Sequence, residues 1–355
     1  MATIPVYPGS QSVFVKTFDA SGRLTVDFSR NIRDFAINKY AQIQPVTKVA
    51  GYWRQSTVEE EGRILNSNLS DRMWADGAPR PDFYGETESS QFNQYICKRY
   101  TWGVTLGDLT IDQADWAIAE EYSVKKAQQA MTGRAQLGIT ALTTIASWTT
   151  NQSNHTIDVT TISDSSGANT GKWSASTTAR QDIKRSLNYA ANQIIIDTLA
   201  AINVNDLMIV MSPNCARALA QCQEIVDHIK GSPDALAQVR GELPGENAMF
   251  GLPDKLYGFP LIVEKTVKVT SRKGATRAAS YVFPDATPAM VARPGSLVGL
   301  FGAPSFSTLG YFMFEEMSSE VLHEPINRRT VISLVENYDV QILSYLSGFL
   351  FQNAV

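Results

Sequence analysis

Along this chain the spacing of apolar residues switches between two periods, and the switches mark the elements. From Phe92 to Val104 the period is two: Phe92, Ile96, Tyr100, Trp102 and Val104 share one parity, and Asn93, Arg99 and Thr101 hold the other. That predicts a half-buried strand. After Gly107 and Asp108 the period lengthens, and Ile111, Ala114, Ile118 and Tyr122 recur at helical spacing. A helix is predicted from Ile111 to about Leu137, with Thr110 and Gln113 as its capping box. Asp112, Asp115, Glu120 and Glu121 come early in it, and Lys125, Lys126 and Arg134 late, which complements the helix dipole. At ~1.5 Å per residue such a helix is about 40 Å long.

Flanking regions read less regularly. Residues 1–28 are rich in turns with short alternating pieces such as Ser12–Val15, and Ile32, Phe35, Ala36 and Tyr40 predict a short helix over 30–41. Residues 148–178 are rich in Ser, Thr and Asn and read as loop with a short strand at Ile157–Val159. From 178 to 295 helices and strands intermix. Thr178 and Gln181 form a second capping-box pattern ahead of a stripe of Ile183, Leu187, Ala190, Ile194 and Leu199. Leu207–Met211 is a short apolar strand; Ser212 then caps a helix with Pro213 at its first position, faced by Cys215, Leu219, Cys222, Val226 and Ile229. A Gly- and Pro-punctuated loop at 231–257 leads to strands at Phe259–Glu264, Ala279–Phe283 and Ala289–Ala292. Near the end, Ile332, Leu334, Tyr338, Val340 and Ile342 alternate with Ser333, Asn337, Asp339 and Gln341, a long half-buried strand, and Phe349–Leu350–Phe351 requires cover. No internal repeat is visible.

One stretch obeys neither period. Residues 56–90 run through Glu59–Glu61, Asn66–Ser67–Asn68, Asp71–Arg72–Met73–Trp74 and Gly77–Ala78–Pro79–Arg80–Pro81. A connection this long without its own periodicity is functional or disordered. Its Trp, Met and Arg residues argue against disorder, which is poor in aromatics. The segment reads as an arm laid on another molecule, with Asp71, Arg72, Met73, Trp74, Arg80 and Phe83 as contact candidates. Gly103 and Gly107 are candidate hinges between arm and helix.

Composition narrows the classes. The 355 residues are enough for one elaborate domain or two ordinary ones. Hydrophobic residues make up 44%, which suits a buried core, while 19% charged is low for a solitary soluble protein and fits a surface covered by neighbours. With a net charge of −4, nothing suggests a basic nucleic-acid clamp. Cys97, Cys215 and Cys222 form no disulfide scaffold and fit synthesis in a reducing compartment. No apolar run reaches the ~18 residues of a membrane span, and Met1–Ser10 lacks the basic-then-apolar pattern of a signal peptide.

Candidate chemistry is thin. Gly167–Ala168–Asn169–Thr170–Gly171–Lys172–Trp173 imitates a phosphate loop, but it has one residue too few between its glycines and Trp where Ser or Thr must reach the metal. Cys215 and Cys222, seven apart on a helix, are too far for a disulfide and lack zinc-spaced histidines. His155 lies in a polar loop, His228 near a helix C-terminus, and His323–Glu324–Pro325 lacks the second His of a zincin. Glu315 and Glu316 are adjacent, and in a strand they face opposite ways. The acceptor patterns at Asn151 and Asn154 read as chance without a secretion signal. No catalytic set, cofactor site or metal site assembles, and a non-enzyme is expected.

The order of parts is more telling. An N-terminal arm and a long extended loop precede a strand with Tyr95–Ile96–Cys97–Lys98–Arg99–Tyr100. Leu109–Thr110–Ile111–Asp112–Gln113–Ala114–Asp115 then opens a spine helix. The helix after Ser212–Pro213, the strand opening at Tyr257–Gly258–Phe259–Pro260 and the Glu316–Asn353 stretch follow. From about 30 to 355 this order resembles the major capsid protein of tailed double-stranded DNA phages, the α+β Hong Kong 97-type fold. The resemblance implies an N-terminal arm (1–55), an extended loop (56–105), a peripheral domain with the spine helix (106–177), an axial domain (178–298) and a β-rich return (299–355) that ends in the axial domain. It also implies pentamers and hexamers in an icosahedral head, formed in the host cytoplasm and enclosing double-stranded DNA without reading its sequence. Portal and decoration proteins are the implied partners. A separate scaffolding protein is expected, because strand-like pieces begin soon after Met1. Some members crosslink through a lysine in the extended loop; here no lysine lies between Lys48 and Lys98, so a non-covalent shell is expected. An encapsulin-like bacterial compartment shares the fold and stands as the alternative, with a soluble enzyme as the second.

Overall fold

The computed structural model of the chain describes residues 14–18, 24–28, 34–55, 73–78, 91–114, 118–149, 154–162, 171–175, 181–230, 245–272, 274–294 and 307–355. Its elements in order are β1 (Phe14–Phe18), β2 (Leu24–Phe28), α1 (Ile37–Tyr40), β3 (Ala41–Pro45), β4 (Ala50–Gln55), β5 (Gln91–Ile96), β6 (Lys98–Gly107), α2 (Asp108–Asp112), α3 (Ile118–Thr143), β7 (Thr156–Asp158), α4 (Asp182–Asp197), β8 (Leu207–Met211), α5 (Pro213–Gln221), α6 (Gln223–Ile229), β9 (Lys255–Leu256), β10 (Phe259–Val263), β11 (Val267–Val269), β12 (Ala279–Tyr281), β13 (Ala289–Ala292), β14 (Leu309–Glu324), β15 (Arg329–Ile342) and β16 (Gly348–Gln352).

Two sheets organise these parts. One has six strands in the order β7-β16-β13-β8-β10-β9. Every residue of β8 and β13 is buried, which is why Leu207–Met211 is apolar without alternation. One face of this sheet packs on α4 and α5 through Ile183, Leu187, Ile194, Cys215, Leu219, Phe349 and Phe351. The other contributes Met208, Val210, Ala289, Val291 and Leu350 to a second core. Each such large side chain contributes roughly 1.5–3 kcal/mol by leaving water. The run Phe349–Leu350–Phe351 thus finds cover on both faces.

The second sheet has four strands, β3-β14-β15-β6. The β14–β15 hairpin is its axis, pairing from Leu309↔Ile342 to Glu324↔Arg329. Helix α3 crosses one face. Its buried positions Ala127, Ala130, Met131, Arg134, Ala135, Gly138, Ile139 and Leu142 recur every three or four residues and are mostly small. Small residues let the backbones approach. A Cβ on Gly138 would overlap the Tyr311 hydroxyl, which donates to the Arg134 carbonyl at 2.8 Å.

Several sequence expectations shift. The strand over Phe92–Val104 is two strands, broken at Cys97, whose N–H donates to the Val49 carbonyl at 2.8 Å. The break reverses the parity. β6 buries the expected face, with Leu106 at its foot, but β5 buries Tyr95 and leaves Phe92 and Ile96 in solvent. The long helix is α3, described over 26 residues and about 39 Å, and the turn at Gln113–Ala114 separates it from Ile111. Thr110 caps nothing, because it lies inside α2, whose N-cap is Gly107. The predicted stripe survives the break, with Ile111, Ala114, Ile118 and Tyr122 in one cluster with Leu106 and Ile332. The early helix shortens to Ile37–Tyr40, behind buried Phe35 and Ala36.

The second capping box also fails; Thr178 lies outside the described residues. Gln181 holds the N-cap of α4 in the left-handed region (φ 48°) with no side-chain cap bond. Glu224, from α6, replaces it and accepts from the Ile183 N–H at 3.0 Å and the Lys184 N–H at 3.2 Å. Leu199 has left the helix at φ 52° and is about half exposed. Ser212 does cap α5, accepting from the Cys215 N–H at 3.0 Å, with Pro213 behind it. That helix breaks at Cys222, which is extended (φ −70°, ψ 147°).

Candidate intersubunit surfaces

Met73–Ala78 form a turn in which the Trp74 indole N–H donates to the Ala78 carbonyl at 2.6 Å and the Ala78 N–H to the Ala75 carbonyl at 3.0 Å. Gly77 closes it at φ 79°, a conformation that glycine adopts freely. These bonds hold the indole in place while Met73 and Trp74 stay 80% and 61% exposed. Trp and Met are side chains enriched at the buried centres of interfaces. Of the other contact candidates, Asp71, Arg72, Arg80 and Phe83 lie outside the described residues.

The loop's base is the β4–β5 ribbon, paired from Ala50↔Ile96 to Gln55↔Gln91. Its inner face is anchored: Tyr95 stacks on Phe312 at 4.5 Å between ring centroids, and Trp53 tilts against the same ring at 6.0 Å. Its outer face carries Tyr52, Phe92 and Ile96, all exposed. Gly103 and Gly107 both lie in the β6–β15 ladder, opposite Ser333 and Arg329. Neither has a positive φ, and a Cβ would meet only ordinary contacts at 3.6 Å or more. Gly107 stands where β6 turns into α2.

A third exposed point was not legible in the sequence. Between β14 and β15, Pro325–Asn327 form a 3-10 turn with Arg328 left-handed at φ 48°. Glu324 accepts from Arg329 Nε at 2.6 Å and from Asn327 Nδ2 at 2.9 Å, and the Asp108 N–H donates to the Arg328 carbonyl at 3.0 Å. This frame carries Ile326 at 96% exposure.

Inside, two buried carboxylates join elements distant in the sequence. Arg134 of α3 donates to Glu336 of β15 at 2.6 Å, with the carboxylate fully buried and the guanidinium 5.4 Å from the Tyr338 ring. Burial, and then the Glu336 charge, push the Tyr338 hydroxyl well above its usual range. Glu264 is also fully buried; it accepts from the Tyr40 hydroxyl at 2.9 Å, the Thr266 N–H at 3.1 Å and the Thr266 hydroxyl at 2.5 Å. It ties the N-terminal segment to the end of β10.

The motif-like features have partners of their own among the described residues. Trp173 is buried in the core with its indole N–H on Ser186 Oγ at 2.9 Å, and Lys172 donates to the Val355 carbonyl, so this end of the glycine loop anchors the fold. Residues 163–170 of that loop lie outside the described residues. Cys97, Cys215 and Cys222 are free and buried. His155 is fully buried between the Gly348 carbonyl and Asp197, both at 2.9 Å. Burial lowers its pKa from 6.5, against the pull of both partners. His323 lies 3.2 Å from the Thr330 hydroxyl and 3.6 Å from Asp108, and His228 meets the Tyr257 ring edgewise. Glu315 approaches Arg99 at 3.7 Å while Glu316 is exposed. Among the described residues no cluster could hold a metal ion, and no helix is long and apolar enough to cross a membrane.

No protein-family model matches the chain, and no curated protein matches it. Solved structures do. A phage-related protein of Bordetella bronchiseptica RB50 aligns over 90% of this chain and 91% of its own at 11% identity, TM-score 0.55. The capsid of cyanophage P-SCSP1u aligns over 96% and 93% at 14% identity, TM-score 0.58. The mature capsid of bacteriophage PhiM1 aligns over 93% and 90% at 11% identity, TM-score 0.53. The chain therefore has the α+β fold of tailed-phage capsid chains, the Hong Kong 97-type fold.

Proposed function

We propose that this chain is the structural subunit of a phage head, one of many copies that close an icosahedral shell around double-stranded DNA. The observation that carries the reading is the end-to-end likeness to a cyanophage capsid chain, over 96% of this chain and 93% of that one. The role is mechanical rather than catalytic, and the buried polar groups hold the fold. DNA is retained by confinement, which a net charge of −4 does not oppose.

In this reading, α3 and the four-stranded sheet make the peripheral domain and the six-stranded sheet makes the axial domain of each pentamer and hexamer. The segment through Met73 and Trp74 lies over a neighbouring subunit, and residues 1–55 do so on another side. Gly107, at the end of β6, and Gly103 within it are the points where the loop re-aims between quasi-equivalent positions. Contacts are non-covalent, since no lysine lies between Lys48 and Lys98. Assembly in the host cytoplasm is guided by a separate scaffolding protein, and the finished head carries a portal and takes decoration proteins.

Electron microscopy of the purified protein tests the class: closed shells are expected, and a monodisperse monomer under all assembly conditions overturns it. Denaturing gels of the shells should show a single band. A ladder of covalent multimers would refute the non-covalent wall. Deleting residues 66–84 should leave a folded subunit that no longer closes shells.

A further inference from the structure

We propose that the β11–β12 ribbon of one copy packs on the outer face of β14 in the next copy. This rests on the shell reading above and adds a contact between two surfaces that both lie outside the extended loop.

The ribbon is a sheet of its own, paired from Val267↔Tyr281 to Val269↔Ala279. Its base is fixed, since Thr266 is buried and its carbonyl accepts from the Val282 N–H at 2.9 Å. Its far end is tied by the Thr270 N–H on the Ala278 carbonyl at 3.0 Å and the Ala278 N–H on Ser271 Oγ at 3.2 Å. One face carries Val267 and Val269, 43% and 54% exposed, beside exposed Ala279. A two-stranded ribbon is marginal in water unless an apolar face finds cover, and this face is bare.

Charge indicates the kind of cover. Residues 265–284 hold five of the chain's 31 Lys and Arg residues and none of its 35 Asp and Glu residues. Lys265 is engaged by the Glu246 carbonyl and the Phe250 ring. Arg272 and Arg277, at the ribbon's end, are exposed, and among the described residues neither has a carboxylate partner. A surface that fits offers apolar area next to carboxylates. β14 has one: Phe314, Glu316, Ser318, Glu320 and Leu322 stand exposed in alternation, while Met313 and Met317 face the core shared with α3. Glu316 and Glu320 have no cation partner among the described residues. Duplex DNA would pair with the arginines but leave both valines in water, because phosphates bring no apolar surface. The ribbon and the β14 face are different patches of one chain, so their contact runs head to tail, the kind that closes rings.

Hydrogen exchange of the unmodified chain, as free subunit and as shell, reads both surfaces. Amides of 267–281 should exchange fast in the free subunit and slow down on assembly, in shells with and without DNA. Protection that appears only with packaged DNA, or only with a second protein, overturns the proposal. Charge reversal then tests the pairing. Arg272→Glu with Arg277→Glu should cut the yield of shells by roughly tenfold or more, and Glu316→Arg with Glu320→Arg should do the same, because like charges then face each other. All four changes together should restore most of the yield. A fourfold variant no better than either pair, or pairs that assemble normally, overturns the contact. Thermal melts of the free subunits check that each variant folds, and electron microscopy of the unmodified chain reports on the shell reading separately. Should the variants misfold, Val269→Cys with Ser318→Cys should form intermolecular disulfides on oxidation of closed shells, and neither change alone should, since Cys97, Cys215 and Cys222 are buried. Absence of that disulfide refutes the pairing.

Discussion

The two sheets differ in what covers them. The six-stranded sheet is packed on both faces by the chain's own residues, and its central strands β8 and β13 are wholly buried. The four-stranded sheet has α3 on one face only; along β14 beyond Met313, Phe314, Glu316, Ser318, Glu320 and Leu322 stand exposed. Its buried face holds an ion pair set among Tyr311 and Tyr338, where the other sheet holds phenylalanines. One sheet is covered by its own chain on both faces; the other carries an exposed ribbon face, an exposed hairpin tip and, at β3, an edge with no neighbouring strand among the described residues.

The largest effects should come from the closed region. Phe349→Ala removes a ring packed against Phe351, Tyr189 and His155 and should lower subunit stability by ~3–5 kcal/mol in urea unfolding. Glu336→Ala in the other sheet should cost a similar ~3–5 kcal/mol, because it strands a buried guanidinium. The two losses separate on repair. Arg134→Met with Glu336→Leu should regain most of the second loss, whereas no change at a partner repairs the first. If the double variant stays as unstable as Glu336→Ala, the pair is more than a packed polar contact.

Glu224→Ala should be milder, about 1–3 kcal/mol in the same assay, since two N–H groups of α4 lose their acceptor along with the Tyr257 hydroxyl, 2.6 Å away. Acid should act on His155. Burial holds its folded pKa below 6.5, so the unfolded chain takes up the proton first. Stability should be full above pH 6.5 and decline as pH falls below it; His155→Gln should flatten that decline in thermal melts at pH 5 to 7. The smallest effect belongs to the exposed hairpin tip, where Glu324→Gln should leave the melting midpoint of the free subunit unchanged.

The sequence displayed the parts that depend on neighbouring residues. Leu207–Met211 reads as a buried strand from its continuous apolar run, and Ser212–Pro213 as a helix start from two adjacent residues. It concealed the parts that depend on distant ones. Glu224 caps a helix start 41 residues earlier, and the local Thr178–Gln181 pattern suggested a different solution. Arg134 and Glu336 are 202 residues apart. A trace was present, since Glu336 shares its parity with Leu334 and Tyr338. The reversal at Cys97 escaped because β5 and β6 serve different sheets, so one alternation could not describe both. Of the exposed apolar residues, Met73 and Trp74 were legible in an aperiodic stretch; Ile326 was not, because its exposure depends on a turn framed by Asp108 and Arg329.

Strand β3 has a mechanical consequence. It runs parallel to β14 over five residues, Leu309↔Ala41 to Met313↔Pro45, and the chain before it leads to the N-terminal segment. Tension drawn along that segment loads the ladder lengthwise, so its hydrogen bonds share the force instead of opening one at a time. The Tyr40–Glu264 bond beside it adds a second fastening, to the six-stranded sheet. A pull from outside is thus divided between both sheets before either must yield.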